Sequence, residues 1–114
     1  MFVTGNIHKF AEARRILKPY KIGLRHLKQP YPEIRSDEVE EVALEAASSL
    51  FKKIKKPLIV EDSGIFIPSL NNFPGAYSAW VFKKMGNAGI LKLLEEGKNR
   101  SAYFKSCIAY ADSK

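Results

Sequence analysis

Leu58-Ile59-Val60-Glu61-Asp62-Ser63-Gly64 is the stretch on which the reading of this chain turns. Its apolar run, bounded by Pro57 and Gly64, has the length and flanks of a buried strand. Two carboxylates close it. In α/β proteins, functional groups collect at the carboxyl ends of such strands. An acidic pair there, in a chain of formal charge +7, has the donor chemistry for a metal ion. Strand alternation sends Glu61 and Asp62 to opposite faces, so Asp62 is the candidate for the cleft and Glu61 is expected to face away. Asp-Ser-Gly is also ordinary turn chemistry, and taken alone that reading is the stronger one.

Working outward, Ile65-Phe66-Ile67 is expected to return as a further strand after a turn at Asp62–Gly64. Upstream, Val39, Val42, Ala43, Ala46, Leu50 and Ile54 form the apolar stripe of a helix over about 37–55, with Ser36 or Asp37 available to cap it. Acidic residues near its start and Lys52, Lys53, Lys55 and Lys56 near its end complement the helix dipole. The lysines are therefore read first as helix stabilisation and only second as a nucleic-acid patch. At the N-terminus a short strand at Phe2-Val3 leads into a helix over 7–18, with Phe10, Ala13 and Leu17 on one apolar face. Residues 20–27 alternate weakly as a strand, and Gln29–Glu33 is an extended, proline-framed loop. Beyond the central strands come a loop at Asn71–Gly75, two short helices over 78–85 and 88–96 punctuated by Gly86 and Gly97, and a final strand over 102–111. The fold class expected is α/β, a mixed central sheet flanked by helices, in a single domain.

The 114 residues and 46% hydrophobic content suit one globular domain. With Cys107 as the only cysteine, no intramolecular disulfide can form. No apolar run approaches the roughly 20 residues of a membrane span, and Met1-Phe2-Val3-Thr4 shows no secretion signal. The expectation is a cytoplasmic protein without a membrane partner. A surplus of Lys and Arg, 19 against 12 Asp and Glu, favours anionic partners. His8 and His26 are isolated and lack metal-ligand spacing. Trp80, Phe82 and Tyr77 are read as core or interface rather than as a base-stacking platform.

Thr4-Gly5-Asn6-Ile7-His8-Lys9 lies at a strand-to-helix turn. Backbone N–H groups at a helix start attract phosphate, Gly5 allows close approach, and Lys9 adds a point charge. The same residues are good turn and cap chemistry, which is the stronger reading of the motif alone. Glu33, in its proline frame, is either presented to the same cleft or a solvated loop carboxylate.

Taken together and in order, Thr4–Lys9, Pro32-Glu33, Val60–Gly64 and Leu70–Ser78 resemble the motifs of the inosine triphosphate pyrophosphatase family: T/S-G-N-x-x-K, P-E, V/I-E-D-S/T-G and L-x-G-F-P-G-x-Y-S. Gly89–Leu94 and Arg100–Phe104 continue the likeness. Asn72 stands where the pattern has glycine, and the first strand is short. The resemblance implies the N-terminal portion of that family's fold and Mg²⁺-dependent hydrolysis of inosine, deoxyinosine and xanthosine triphosphates to the monophosphate and pyrophosphate. This is a house-cleaning reaction of nucleotide metabolism, commonly run by a homodimer. By the same resemblance Thr4, Gly5, Asn6 and Lys9 hold the triphosphate and Ser63 touches substrate. Glu33 and Asp62 bind Mg²⁺, and Asp62 orients or deprotonates the attacking water. The G-F-G-Y-D-type and S-H-R motifs with which the family continues, and the strands expected to pair with residues 102–111, are not among residues 1–114. The chain therefore reads as a C-terminally truncated domain holding the triphosphate and metal half of a site. The alternatives are a non-catalytic nucleotide-binding or dimerising remnant and, ranked last, a basic nucleic-acid-binding module.

Overall fold

The computed structural model describes residues 1–114. Strand β1 (Phe2–Val3) leads into helix α1 (Ile7–Leu17), followed by strand β2 (His26–Leu27) and helix α2 (Val39–Ile54). Strand β3 (Leu58–Ile67) occupies the centre, and β4 (Phe73–Pro74), helix α3 (Ser78–Leu93) and β5 (Tyr103–Ala111) complete the chain. The turn expected at Asp62–Gly64 does not form: β3 runs straight through it as one strand. The reason lies far along the sequence. β5 pairs antiparallel with β3 from Leu58 opposite Ala111 to Phe66 opposite Tyr103. A continuous ladder satisfies the backbone groups that a local Asp-Ser-Gly turn would otherwise have claimed. One edge of the final strand is thereby paired along its whole length, and its other edge has no strand beside it.

Gly64 is consequently a packing residue. A Cβ there would run into the carbonyl oxygen of Gly75 and lie 2.9 Å from Ser78 Oγ. Its absence lets the loop before α3 close on the sheet, where Ser78 Oγ accepts from the Ile65 N–H at 2.8 Å.

β1 pairs parallel with both β2 and the start of β3 at Ile59, whereas β4 pairs antiparallel with Phe66 and Ile67. Since β5 fills the other edge of β3, β1 and β4 share one edge and leave the stretch between Ile59 and Phe66 as a notch between them. The sheet is mixed, as expected. α2 covers one face, and Ala43, Ala46, Ala47 and Leu50 close with Val3, Leu58, Val60 and Ala109 into the core. The α2 stripe is the expected one, although its cap differs. Glu38 is the N-cap residue and makes no side-chain cap bond, while Ser36 Oγ accepts from the Glu38 N–H at 3.1 Å.

The opposite face is thinly covered. No residue of α1 is buried. Its expected apolar stripe does not enter a core: Ala13 and Leu17 line an open cleft against the sheet, and Phe10 stacks on His26 with ring centroids 4.7 Å apart. The strand expected over 20–27 shrinks to two residues, because Pro19 starts a 3-10 turn over Lys18–Tyr20 and Lys21 takes a left-handed φ of 58°. The two expected short helices form as α3 broken at Gly86, whose φ of 65° suits glycine. Trp80, Phe82 and Tyr77 are exposed rather than core. No helix is long and apolar enough to cross a membrane.

Candidate active site

The chain leaves β1 at Thr4, beside the notch in β3. Thr4 is buried, and its backbone is tied to β2 by an N–H bond to the Leu27 carbonyl at 3.1 Å and by His26 Nε2 at 2.8 Å from its own carbonyl. Thr4 Oγ1 accepts from the Asn6 N–H at 3.1 Å. Asn6 is the N-cap of α1, and its Oδ1 accepts from the N–H groups of His8 at 2.9 Å and Lys9 at 3.3 Å. Both expected phosphate-binding side chains therefore already shape the turn. They satisfy helix-start donors that an arriving anion would have to share. Gly5 is different: a Cβ built there meets nothing within 4 Å, so the fold does not need glycine at this position.

β3 divides its acidic pair between the two faces of the sheet. Glu61 sits on the α1 face, where it lines the cleft with Lys9, Ser63 and Ser106; the cleft volume is about 850 Å³. Lys9 Nζ lies 2.5 Å from Glu61 Oε2, a charge-to-charge contact without directed hydrogen-bond geometry, and Ser106 Oγ donates to Glu61 Oε1 at 2.7 Å. Burial pushes the Glu61 carboxyl up, but Lys9 and Ser106 outweigh it and hold the group below the usual range. The pair does face opposite sides of the sheet, as alternation predicts, but the Glu61 side carries a cleft of its own, in which Glu61 is the partner of the helix-start lysine. Sequence reading missed Ser106 altogether, because only the β3–β5 register brings it near.

Asp62 lies on the α2 face, opposite Cys107. Its Oδ2 is buried and has no hydrogen-bond partner. Its carboxyl is pushed up to about 6, first by burial, then by the charge of Glu33, with Lys9 opposing and Glu61 adding to the rise. The Tyr31 phenol, in the proline-framed loop, is pushed up to about 12 by burial and by Glu33, Asp62 and Glu61. Glu33 is exposed in its loop, and its charge is felt by both Asp62 and Tyr31, so the surroundings of Asp62 are negatively charged. An orphaned carboxylate oxygen in such a place fits a hard divalent cation. No cluster of three or more His, Cys, Asp or Glu side chains converges here. With Glu33 and Asp62 as its protein ligands, a Mg²⁺ would take water and phosphate oxygens for the rest of its shell, its usual state.

The Ham1 family profile matches residues 1–114. The chain is 49% identical over 112 residues to a dITP/XTP pyrophosphatase of Methanopyrus kandleri, covering 98% of this chain and 60% of that protein. A dITP/XTP pyrophosphatase of Methanosarcina mazei is 50% identical over 112 residues, with 98% and 61% covered. Among solved structures, a HAM1 protein from Coxiella burnetii superposes with a TM-score of 0.78 at 25% identity, over 97% of this chain and 62% of that one. The nucleoside-triphosphatase / dITP/XTP pyrophosphatase of Mycobacterium abscessus gives 0.73 at 25%, over 98% and 65%. The chain belongs to the Ham1 family, which bears out the resemblance carried by its motifs. It spans about 60% of the length of the curated relatives it matches.

Proposed function

We propose that residues 1–114 carry the triphosphate- and metal-binding part of a nucleoside triphosphate pyrophosphohydrolase domain acting on non-standard purine nucleotides: ITP, dITP and XTP. The observation that carries the reading is the orphaned Oδ2 of Asp62, raised in pKa beside Glu33 and one strand away from the Thr4–Lys9 helix start. Water attacks the triphosphate, the bond between the α- and β-phosphates breaks, and the products are nucleoside monophosphate and pyrophosphate. Such chemistry needs positioning and charge stabilisation more than covalent help. Gly5 and the start of α1 receive the phosphates, and Lys9 adds positive charge. Asp62 orients the attacking water or takes its proton; its carboxyl is pushed up to about 6 in the absence of a cation, and a divalent ion at the site would draw it back down. Glu33 and Asp62 would hold Mg²⁺, which would supply charge neutralisation at the phosphates. Ser63, lining the cleft with Lys9, contacts substrate. The homodimer and the cytoplasmic setting belong to the same proposal and rest on the family likeness.

Pyrophosphate release from dITP, XTP and ITP, compared with ATP, tests the reading in purified protein with Mg²⁺ and again with chelator. The expected result is release from the three non-standard nucleotides that stops when chelator is added. Binding of the same nucleotides without release would establish the non-catalytic alternative instead.

A further inference from the structure

Building on the triphosphate-binding reading above, we propose that Glu61, oriented by Ser106, is a positioning residue that holds the Lys9 ammonium where a triphosphate is received. Lys9 is the third residue of α1, at the end of the helix that attracts anions. Its stem is long and flexible, and a free lysine at this place would sweep many rotamers. Here its ammonium rests on Glu61. The Glu61 side chain is only 12% exposed and its other oxygen is held by Ser106 Oγ at 2.7 Å, so the carboxylate has little freedom to follow the lysine. Each member comes from a different element: Lys9 from α1, Glu61 from β3, Ser106 from β5. All three line one cleft, whose remaining lining is largely apolar, so the three polar side chains gather in one place. An ammonium carries three donors. Glu61 engages one side of it, and the Lys9 side chain keeps 36% of its surface open for an anion. Fixing the cation before the ligand arrives removes an ordering cost from binding. Asp62, on the other face of the sheet, takes no part in this relay.

A plain structural ion pair would look similar, so the test separates binding from chemistry. Inorganic triphosphate binding is measured by titration calorimetry, and KM and kcat by pyrophosphate release, in wild type, Lys9→Ala, Glu61→Ala, Glu61→Gln, Ser106→Ala and the Lys9→Ala/Glu61→Ala pair. Glu61→Ala is expected to weaken triphosphate binding and raise KM about 10-fold, with kcat within about 3-fold. Glu61→Gln, which is neutral and offers one acceptor oxygen in place of two, keeps the contact with Ser106 but not the charge that holds Lys9, and is expected to lose about as much as Glu61→Ala. Ser106→Ala should cost about 2–3-fold. The double variant should be no worse than Lys9→Ala alone, since Glu61 then has nothing to position. Wild-type binding by Glu61→Ala, additive losses in the pair, or a fall in kcat at unchanged KM would each overturn the proposal. If Glu61→Ala fails to fold, Glu61→Gln and Ser106→Ala decide the matter through the same binding measurement. Should no form release pyrophosphate while triphosphate binding follows the expected pattern, the positioning role stands and the hydrolytic reading falls. Absence of triphosphate binding by wild type overturns the positioning role itself.

Discussion

Asp62 shows how a single side chain can oppose the fold that places it. Its pKa rises from 3.8 to about 6, so the folded state prefers the protonated form. Below about 3.8 both folded and unfolded chains are protonated and the full stability is present. As pH rises towards 6 the unfolded chain ionises freely while the folded one resists, so stability is lost across that window and the loss persists above it. Discounted for partial exposure, the effect is about 1–2 kcal/mol. Without divalent cations, Asp62→Asn should therefore gain about 1 kcal/mol or more over wild type at pH 7.5 and nothing near pH 3.5. Thermal melts of the two proteins at both pH values check this, and an advantage independent of pH would remove the cause assigned to it. In turnover the sign reverses: the same variant should lose about 100-fold or more, as expected for removing one electrostatic stabiliser. Gly5 offers the converse case. Because a Cβ there meets nothing, Gly5→Ala should shift stability by no more than about 1 kcal/mol, in either direction. It should nonetheless weaken triphosphate binding about 10-fold, since a methyl group would stand where the phosphates approach the backbone. Equal binding by the alanine variant would take the ligand away from this turn.

At the scale of elements, β3 is rigid through its acidic centre because two distant pieces of chain close on it. Gly64→Ala would set a methyl group against the Gly75 carbonyl and should destabilise by about 1–3 kcal/mol, or more if the loop cannot retreat. Leu50→Ala, which empties the α2 contact with the sheet, should cost about 2–5 kcal/mol. Urea unfolding of each variant measures both, and near-wild-type midpoints would contradict the packing described. What was legible in the sequence follows the same division. α2 could be read because its apolar spacing, its first-turn acids and its terminal lysines are all local signals. The break at Gly86 and the order of the motifs were local too. The straight course of β3, the cleft-facing role of Glu61 and the presence of Ser106 were not legible. They depend on a strand register between Leu58–Phe66 and Tyr103–Ala111 that no short window contains. Propensity favoured a turn at Asp62–Gly64, and long-range pairing overrode it.

The molecule as a whole is spread rather than spherical. Its radius of gyration is 16.0 Å, against about 13 Å for a compact chain of this length. The outer edge of β5 is unpaired, and Phe104, Ile108 and Tyr110 stand exposed along one face of it. An open apolar edge favours association with another polypeptide. Wild type should therefore show concentration-dependent growth in mass by light scattering, and Ile108→Lys should reduce it by placing a charge beside the edge. A strictly monomeric wild type at high concentration would contradict this. The β3–β5 ladder has a further consequence, in time rather than in space. Its partners are separated by between 37 residues, Phe66 to Tyr103, and 53 residues, Leu58 to Ala111. At about 5–20 residues per second of synthesis, β3 emerges roughly 2–10 s before the strand that completes its edge. During that interval β3 has β1, α1, β2 and α2 beside it, and β4 and α3 emerge as well, but the edge that β5 will fill stays open. Its acidic centre, Glu61 and Asp62, is then the part of the nascent strand that discourages wrong pairing, before either residue has met a ligand.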